Sequence, residues 1–193
     1  MTISLDQAVL ILQRIANRHN IDNEHGDRVS HLALAVGKEL NGGTRLDAGK
    51  LRLLDFAARV HDLGQVDIDD YIKSKNGKLT RSQTAAMREH PIIGYEFVKD
   101  ILPPEITFTI LYHHEHWDGT GYPHGLRGLD IPLFARIICI VDSYDGIMSK
   151  RSYHEARTQN VALLEMNKYM HWFDPMLYTI FLKVLREQQA ATE

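Results

Sequence analysis

Apolar residues recur three and four positions apart along most of this chain and hardly anywhere alternate, which predicts helices and not strands. Leu5, Ala8, Val9, Leu12, Ile15 and Ala16 give the first helix one apolar face, with Ser4 and Gln7 spaced as a capping box. Asp22 or Asn23 can cap a second helix carrying Val29, Leu32, Ala33, Val36 and Leu40, which Asn41-Gly42-Gly43 stops. A third, over 46–60, is apolar on most sides and therefore largely buried; it delivers His61-Asp62 just before Gly64 breaks it. Residues 65–79 read as a loop, and Thr80 with Gln83 opens the next helix as a second capping box. Pro91 either kinks that helix or starts a new one, and helical spacing then continues to Pro103-Pro104. Ile106 to Tyr112 runs into His113-His114, after which Asp118-Gly119-Thr120-Gly121 ends the helix. Ile131-Pro132 begins an apolar helix with Asp142 and Asp145 at its far end, and helices near 154–170 and 174–189 complete the chain. The expected fold is all-α, a single-domain helical bundle.

Composition narrows the function. With 193 residues and 44% hydrophobic content the chain can build one sizeable core. A formal charge of -3 argues against a broad basic footprint for duplex nucleic acid, so phosphate recognition has to be local. The single cysteine, Cys139, sits inside Ile137-Ile138-Cys139-Ile140-Val141 and reads as core packing, which fits a reducing compartment. Near the N-terminus the only apolar run is Val9-Leu10-Ile11-Leu12, too short for a membrane span or a signal peptide. The expectation is a cytoplasmic protein with no membrane contact.

Chemistry concentrates at His25, His61, Asp62, His90, His113, His114 and Asp142, which come from separate segments yet all fall at helix ends, a proline break or the end of an apolar run. Imidazole and carboxylate suit iron, manganese, zinc or nickel, and the lack of thiolates argues against a structural zinc knot. Five histidines and two aspartates exceed what one ion with an open position needs, so two metals sharing one carboxylate are expected. Adjacent histidines project about 100° apart on a helix, so the 113–114 doublet also suggests a site with more than one centre. Each residue alone is more often a hydrogen-bonded polar group or a cap; their shared placement is what outweighs that.

The motifs carry a resemblance. His61-Asp62 with Gly64, Gly77-Lys78-Leu79-Thr80, His90-Pro91 with Gly94, His113 through Pro123, Arg151 with Tyr153 and Phe173-Asp174-Pro175 are similar to an HD-GYP domain, a branch of the HD superfamily of metal-dependent phosphohydrolases. The likeness covers about 21–182, leaving 1–20 as an N-terminal helix and 183–193 as a C-terminal helix end and tail of one domain. It implies a helical bundle with a metal site in its core and hydrolysis of a cyclic dinucleotide, cyclic di-GMP above all. The implied cofactors are two or three divalent metal ions, usually iron or manganese, on the seven ligands above with Asp62 bridging. The resemblance further implies that Asp145 stands with Asp62 and position 65 in the catalytic group. Arg151 and His154 would face phosphate, and Gly119, Gly121, Tyr122 and Pro123 would edge the substrate pocket. A homodimer and protein signalling partners are allowed by the resemblance without being specified.

Three departures from the family pattern bear on activity. Gln65 stands where lysine is usual, and a neutral amide gives up the charge-assisted part of a hydrogen bond to phosphate, about 1–2 kcal/mol or five- to thirtyfold in rate. Ile21 occupies the place of a third-metal glutamate and cannot coordinate, which is why two metals are expected. His154 replaces a lysine or arginine and is a cation only when protonated. Gln65 also feeds a rival reading, a receptor or interaction module that binds a cyclic dinucleotide or partner protein without efficient turnover. A small-mononucleotide hydrolase is disfavoured by the extended 118–128 loop.

Overall fold

Amphipathic spacing becomes helix almost throughout: the computed structural model describes residues 5–18, 23–40, 45–149 and 158–190, and no strand occurs among them. Helix α1 spans Leu5–Arg18 and α2 spans Asn23–Glu39. The caps expected of Ser4 and Asp22 fall outside what the structure describes, and Asn23 is the first residue of α2. Helix α3 runs Ala48–Val60, starting two residues later than the pattern suggested because Asp47 takes the N-cap and its Oδ1 accepts from Lys50 N at 2.8 Å. The 65–79 stretch is not the plain loop that was expected. Leu63–Asp67 forms a 3₁₀ turn and Asp70–Lys73 a short helix α4, nucleated by Asp69, whose carboxylate accepts from Tyr71 N. Capping organises that segment without apolar periodicity, so no repeat in the sequence announces it.

Helix α5, Arg81–Met87, begins with the expected Thr80–Gln83 capping box. Pro91 then lies in the first turn of a separate helix α6, His90–Val98, where its missing N–H removes no hydrogen bond. Helix α7 is Pro104–Tyr112 and α8 is Leu133–Met148. Thr158 caps α9, Gln159–Lys168, which gives way to a 3₁₀ turn over Met170–Trp172 just short of the expected end at 170; positions 154–157 of the expected helix lie outside the described residues. Helix α10, Pro175–Ala190, closes the bundle. Asp174 joins its start to α8: Oδ1 accepts from Met176 N and Leu177 N, and Oδ2 from Arg136 Nη1.

Helix α2 packs on α3, α8 and α10, while α7 is held between α3, α6 and α8. Phe56, Ile106, Ile110, Ile137, Ile138, Ile140, Leu177 and Phe181 fill the shared interior, each burial stabilising the fold by roughly 1.5–3 kcal/mol. Cys139 belongs to this core, and burial followed by the nearby Asp142 pushes its thiol up to about 12, so it stays neutral and inert at physiological pH. No helix among the described residues is long and apolar enough to cross a membrane.

Candidate metal centre

The helices aim their ends at one place. His61 is the C-cap of α3 and Asp62 follows it; His90 opens α6; His113 is the C-cap of α7 with His114 next; His25 lies in the first turn of α2 and Asp142 on α8. Asp62 stands at the middle with one oxygen turned to each side. Its Oδ1 is 3.1 Å from His90 Nε2 and 3.8 Å from His113 Nε2, and its Oδ2 is 3.7 Å from His61 Nε2 and 3.8 Å from His25 Nε2. Asp142 Oδ1 adds contacts of 3.1 Å to His25 Nε2 and 3.9 Å to His61 Nε2. Two donor sets result, Asp62 with His90, His113 and His114, and Asp62 with His25 and His61, the ligand atoms of each lying within 4.8 Å of one another.

His113 and His114 fall in the same donor set, not on two centres, because α7 stops at Tyr112 and the 100° step of a continuous helix no longer applies to the doublet. The two-sided arrangement comes from Asp62 instead.

Local backbone chemistry fixes how the imidazoles point. Carbonyls in the last turn of a helix lack intrahelical partners. His61 Nδ1 donates to Ala58 O at 2.7 Å, His113 Nδ1 to Ile110 O at 2.8 Å, and His90 Nδ1 to Met87 O, the last turn of α5, at 2.8 Å. With Nδ1 carrying a proton, each ring turns its Nε2 to the centre, where a metal would take the lone pair; burial opposes protonation of His90, but the Asp62 carboxylate at its Nε2 outweighs that and raises the ring. His61 Nε2 is buried with no hydrogen-bond partner, the kind of orphan that a bound cation satisfies. Burial, then the neighbouring imidazoles, lowers His113, and burial with His90 lowers His114 to about 3, so both stay neutral and available as ligands. Burial by itself would raise Asp62, but His61, His90 and His25 hold it well below the usual carboxylate range. The neutral His113 and His114 beside the ionised Asp62 make a donor set that fits a divalent metal.

His25 is held differently. Its Nδ1 meets Asp145 Oδ2 at 2.7 Å, and Asp145 is gripped in turn by Arg28, Nε to Oδ1 at 2.7 Å and Nη2 to Oδ2 at 3.1 Å, and by Ser149 Oγ at 3.1 Å. Burial opposes protonation of His25, yet Asp142 and Asp145 outweigh it and raise the ring to about 10. Asp145, expected on resemblance among the catalytic residues, lies behind His25 in contact with its far nitrogen, and Arg28 is a partner that sequence spacing did not reveal. Asp145→Asn is expected to weaken metal affinity about 10- to 100-fold at the His25 side while sparing the His90 side, as loss of an orienting carboxylate does. Metal titration of the apoprotein checks this; equal weakening of every bound ion would contradict it.

The loop after α7 covers the centre. Gly121 passes so close to the helix end that a Cβ would lie 2.3 Å from His116 N and 2.5 Å from His114 O, so only glycine fits. Tyr122-Pro123 is a cis peptide, and the Tyr122 ring stacks on His114 with centroids 4.8 Å apart while the Arg88 guanidinium lies over its face at 4.9 Å. Gly119 takes a positive φ of 82° at the turn. Glu115, passed over in the sequence because three histidines surround it, is buried and acts as the loop's anchor. Its Oε1 accepts from His124 N at 2.7 Å and Gly125 N at 3.0 Å, and its Oε2 from Leu126 N at 3.0 Å. Glu115→Ala is expected to cost about 2–3 kcal/mol, or roughly 4–12 °C in Tm, since three backbone donors lose a charged acceptor. Thermal melts check it, and a shift under about 1 °C would show that the carboxylate anchors nothing.

Above the centre opens a cleft of about 330 Å³ whose walls include Asp62, His90, Gln65, Lys73, Lys75 and Tyr122. Gln65 thus does face the site. Arg151 and His154, expected at phosphate, lie outside the described residues. Lys73 and Lys75 were missed because a lysine beside Asp69 and Asp70 reads as ordinary surface. A second depression of about 380 Å³, between α1 and α6, is lined by aliphatic side chains and Phe97 and holds no group able to do chemistry.

An all-helical domain with imidazoles and carboxylates gathered beneath an open cleft is a divalent-metal-binding domain. The HD domain profile matches residues 10–177, and the chain belongs to the HD domain family. It is 40% identical over 140 residues to the cyclic di-GMP phosphodiesterase response regulator RpfG of Xanthomonas campestris pv. campestris, covering 71% of this chain and 36% of that protein. It is 34% identical over 196 residues to a cyclic di-GMP phosphodiesterase of Vibrio cholerae, covering 93% and 39%. Among solved structures, Bd1817, a HDG"Y"P protein from Bdellovibrio bacteriovorus, superposes with a TM-score of 0.71 at 22% identity over 94% of this chain and 61% of that one, a likeness of fold. The chain spans between about a quarter and a half of the lengths of the curated relatives it matches.

Proposed function

We propose that the chain hydrolyses a phosphodiester bond of a cyclic dinucleotide, cyclic di-GMP foremost, using two divalent ions, iron or manganese, in the cytoplasm. The observation that carries this reading is Asp62, whose two oxygens face two separate sets of imidazole nitrogens at the floor of the cleft. His90, His113 and His114 would hold one ion and His25, His61 and Asp142 the other, with Asp62 shared. Bound there, the ions would acidify water toward neutral pH and offset charge on the attacking and leaving oxygens. In the balanced reaction, water oxygen bonds to phosphorus, the bond from phosphorus to a ribose oxygen breaks, and that oxygen takes up a proton. No protein nucleophile is needed. This chain's own part is orientation: backbone carbonyls of Ala58, Met87 and Ile110 fix three rings, Asp145 fixes His25, and the stacked Tyr122 borders the place where the nucleotide enters.

Protein purified without oxygen is expected to carry two metal ions per chain by elemental analysis and to convert cyclic di-GMP to a linear product seen by mass spectrometry. A stoichiometry settling at one or at three would show the ligand assignment to be wrong. Tight binding of the dinucleotide by the fully loaded protein with no hydrolysis would establish the receptor reading instead.

A further inference from the structure

Position 65 has a neutral side chain where phosphate chemistry favours a cation, yet the cleft wall is not without one. Lys73, at the end of α4, is buried to an unusual degree for a lysine on an otherwise exposed turn: its side chain is 11% exposed while its neighbours Asp70 and Tyr71 face solvent. Its ammonium lies 3.1 Å from the backbone oxygen of Gln65 and 2.8 Å from Asp70 Oδ1. The same cleft is bounded by Asp62 and His90 of the candidate metal centre. We propose that Lys73 supplies the phosphate-facing cation of this cleft, brought in from α4 to the place that the side chain at 65 leaves uncharged.

The geometry favours Lys73 over its neighbour on the same wall. Lys75 Nζ donates to Gln83 Oε1 at 2.7 Å, and that amide oxygen also accepts from Thr80 N to close the capping box of α5, so Lys75 is tied into the start of a helix. Asp70, whose carboxylate meets Lys73, is by contrast 71% exposed, and an ion pair with one member largely in water is held weakly. Such a partner is readily exchanged for a phosphate oxygen, which offers a charge-assisted hydrogen bond inside a partly desolvated cleft. The Gln65 carbonyl meanwhile keeps the ammonium at the wall in both states. Lysine binds phosphate as a point charge and needs no planar fork, so one correctly placed ammonium is enough. The order of residues matters too: Asp69 caps α4, and that short turn carries Lys73 back over the 3₁₀ turn that starts at Leu63.

The inference rests on the phosphodiesterase reading for its substrate, and its test separates the two. Lys73→Met, Lys73→Arg and the double variant Lys73→Met with Gln65→Lys are made in the full, metal-loaded chain. Metal content, turnover of cyclic di-GMP and the dissociation constant of inorganic phosphate are measured for each. Lys73→Met is expected to keep its metal, to lose about ten- to thirtyfold in kcat/KM and to bind phosphate about tenfold more weakly, while Lys73→Arg retains most of both. Adding Gln65→Lys to Lys73→Met is expected to restore phosphate binding and turnover by a larger factor than Gln65→Lys gives in the wild type, because either lysine fills the same role. A merely structural lysine would not be rescued from position 65. Lys73→Met that matches wild type within about twofold in phosphate binding, or that loses its metal, or that Gln65→Lys fails to rescue, overturns the proposal. Should the wild type cleave no cyclic dinucleotide, the phosphodiesterase reading falls, and the phosphate measurements still decide the role of Lys73.

Discussion

Asp62→Ala is expected to leave the purified protein with little or no divalent metal and to lower turnover by about 10³-fold or more. The carboxylate reaches His90 and His113 with one oxygen and His61 and His25 with the other, so its removal opens both donor sets at once. Metal ions contribute several kcal/mol of charge stabilisation at a reacting phosphate, and about 4 kcal/mol corresponds to 10³ in rate. Elemental analysis after anaerobic purification gives the direct reading. Loss of one ion with the other fully retained would count against a shared carboxylate and would place Asp62 on a single centre. Asp62→Asn is an informative companion, since an amide keeps the volume and one oxygen but cannot bridge with two anionic oxygens.

Gly64→Ala is expected to destabilise the fold by about 3 kcal/mol or more, roughly 6–12 °C in Tm, and to weaken the metal centre along with it. A Cβ at this position would stand 1.9 Å from His90 O and 2.5 Å from Gly94 N, and both obstacles are backbone atoms that no rotamer change can clear. The 3₁₀ turn at Leu63–Asp67 and the first turns of α6 are pressed together here. Moving them apart shifts His90, whose Nε2 lies 3.1 Å from Asp62 Oδ1. The expected signature is therefore joint: a lower melting temperature together with weaker binding on the His90 side. A Gly64→Ala protein that melts like wild type and binds metal equally would refute the close-approach argument.

The two predictions share a cause. Most of the candidate ligands occupy helix ends, where carbonyls without intrahelical partners can grip the far nitrogen of an imidazole. A helix that ends at the site thus supplies both the ligand and the group that orients it. The bundle interior then holds the ends in place, since α3, α7 and α8 bury Phe56, Ile106, Ile110, Ile137 and Ile138 against one another. Stability and metal binding are coupled through those helices, which is why a packing glycine and a bridging aspartate have related consequences.

Much of this was legible in the sequence. The period of the apolar residues determines that α1, α2, α3, α7, α8 and α10 are helices, because burying one face of a helix requires that spacing whatever the neighbours are. The Thr80–Gln83 capping box is local chemistry within four residues, and its hydrogen bonds form as the spacing implies. Histidines and aspartates at the ends of apolar runs also marked His25, His61, Asp62, His90, His113, His114 and Asp142 as one constellation, and the structure brings these together. Tertiary structure decided what depends on distance between remote segments. The division of the ligands into two sets by the two oxygens of Asp62 follows from where α2, α3, α6 and α7 converge, and the doublet at 113–114 misled because its helix ends one residue earlier. Arg28 and Asp145 are 117 positions apart, and only the packing of α2 on α8 makes them a clamp behind His25. Glu115 and Lys73 have no periodicity to betray them; a buried carboxylate serving three amides and a lysine folded over a cleft are products of loop paths, which no local spacing encodes. Local interactions write themselves into sequence as spacing, whereas contacts between distant segments appear only when the core has fixed where each helix stops.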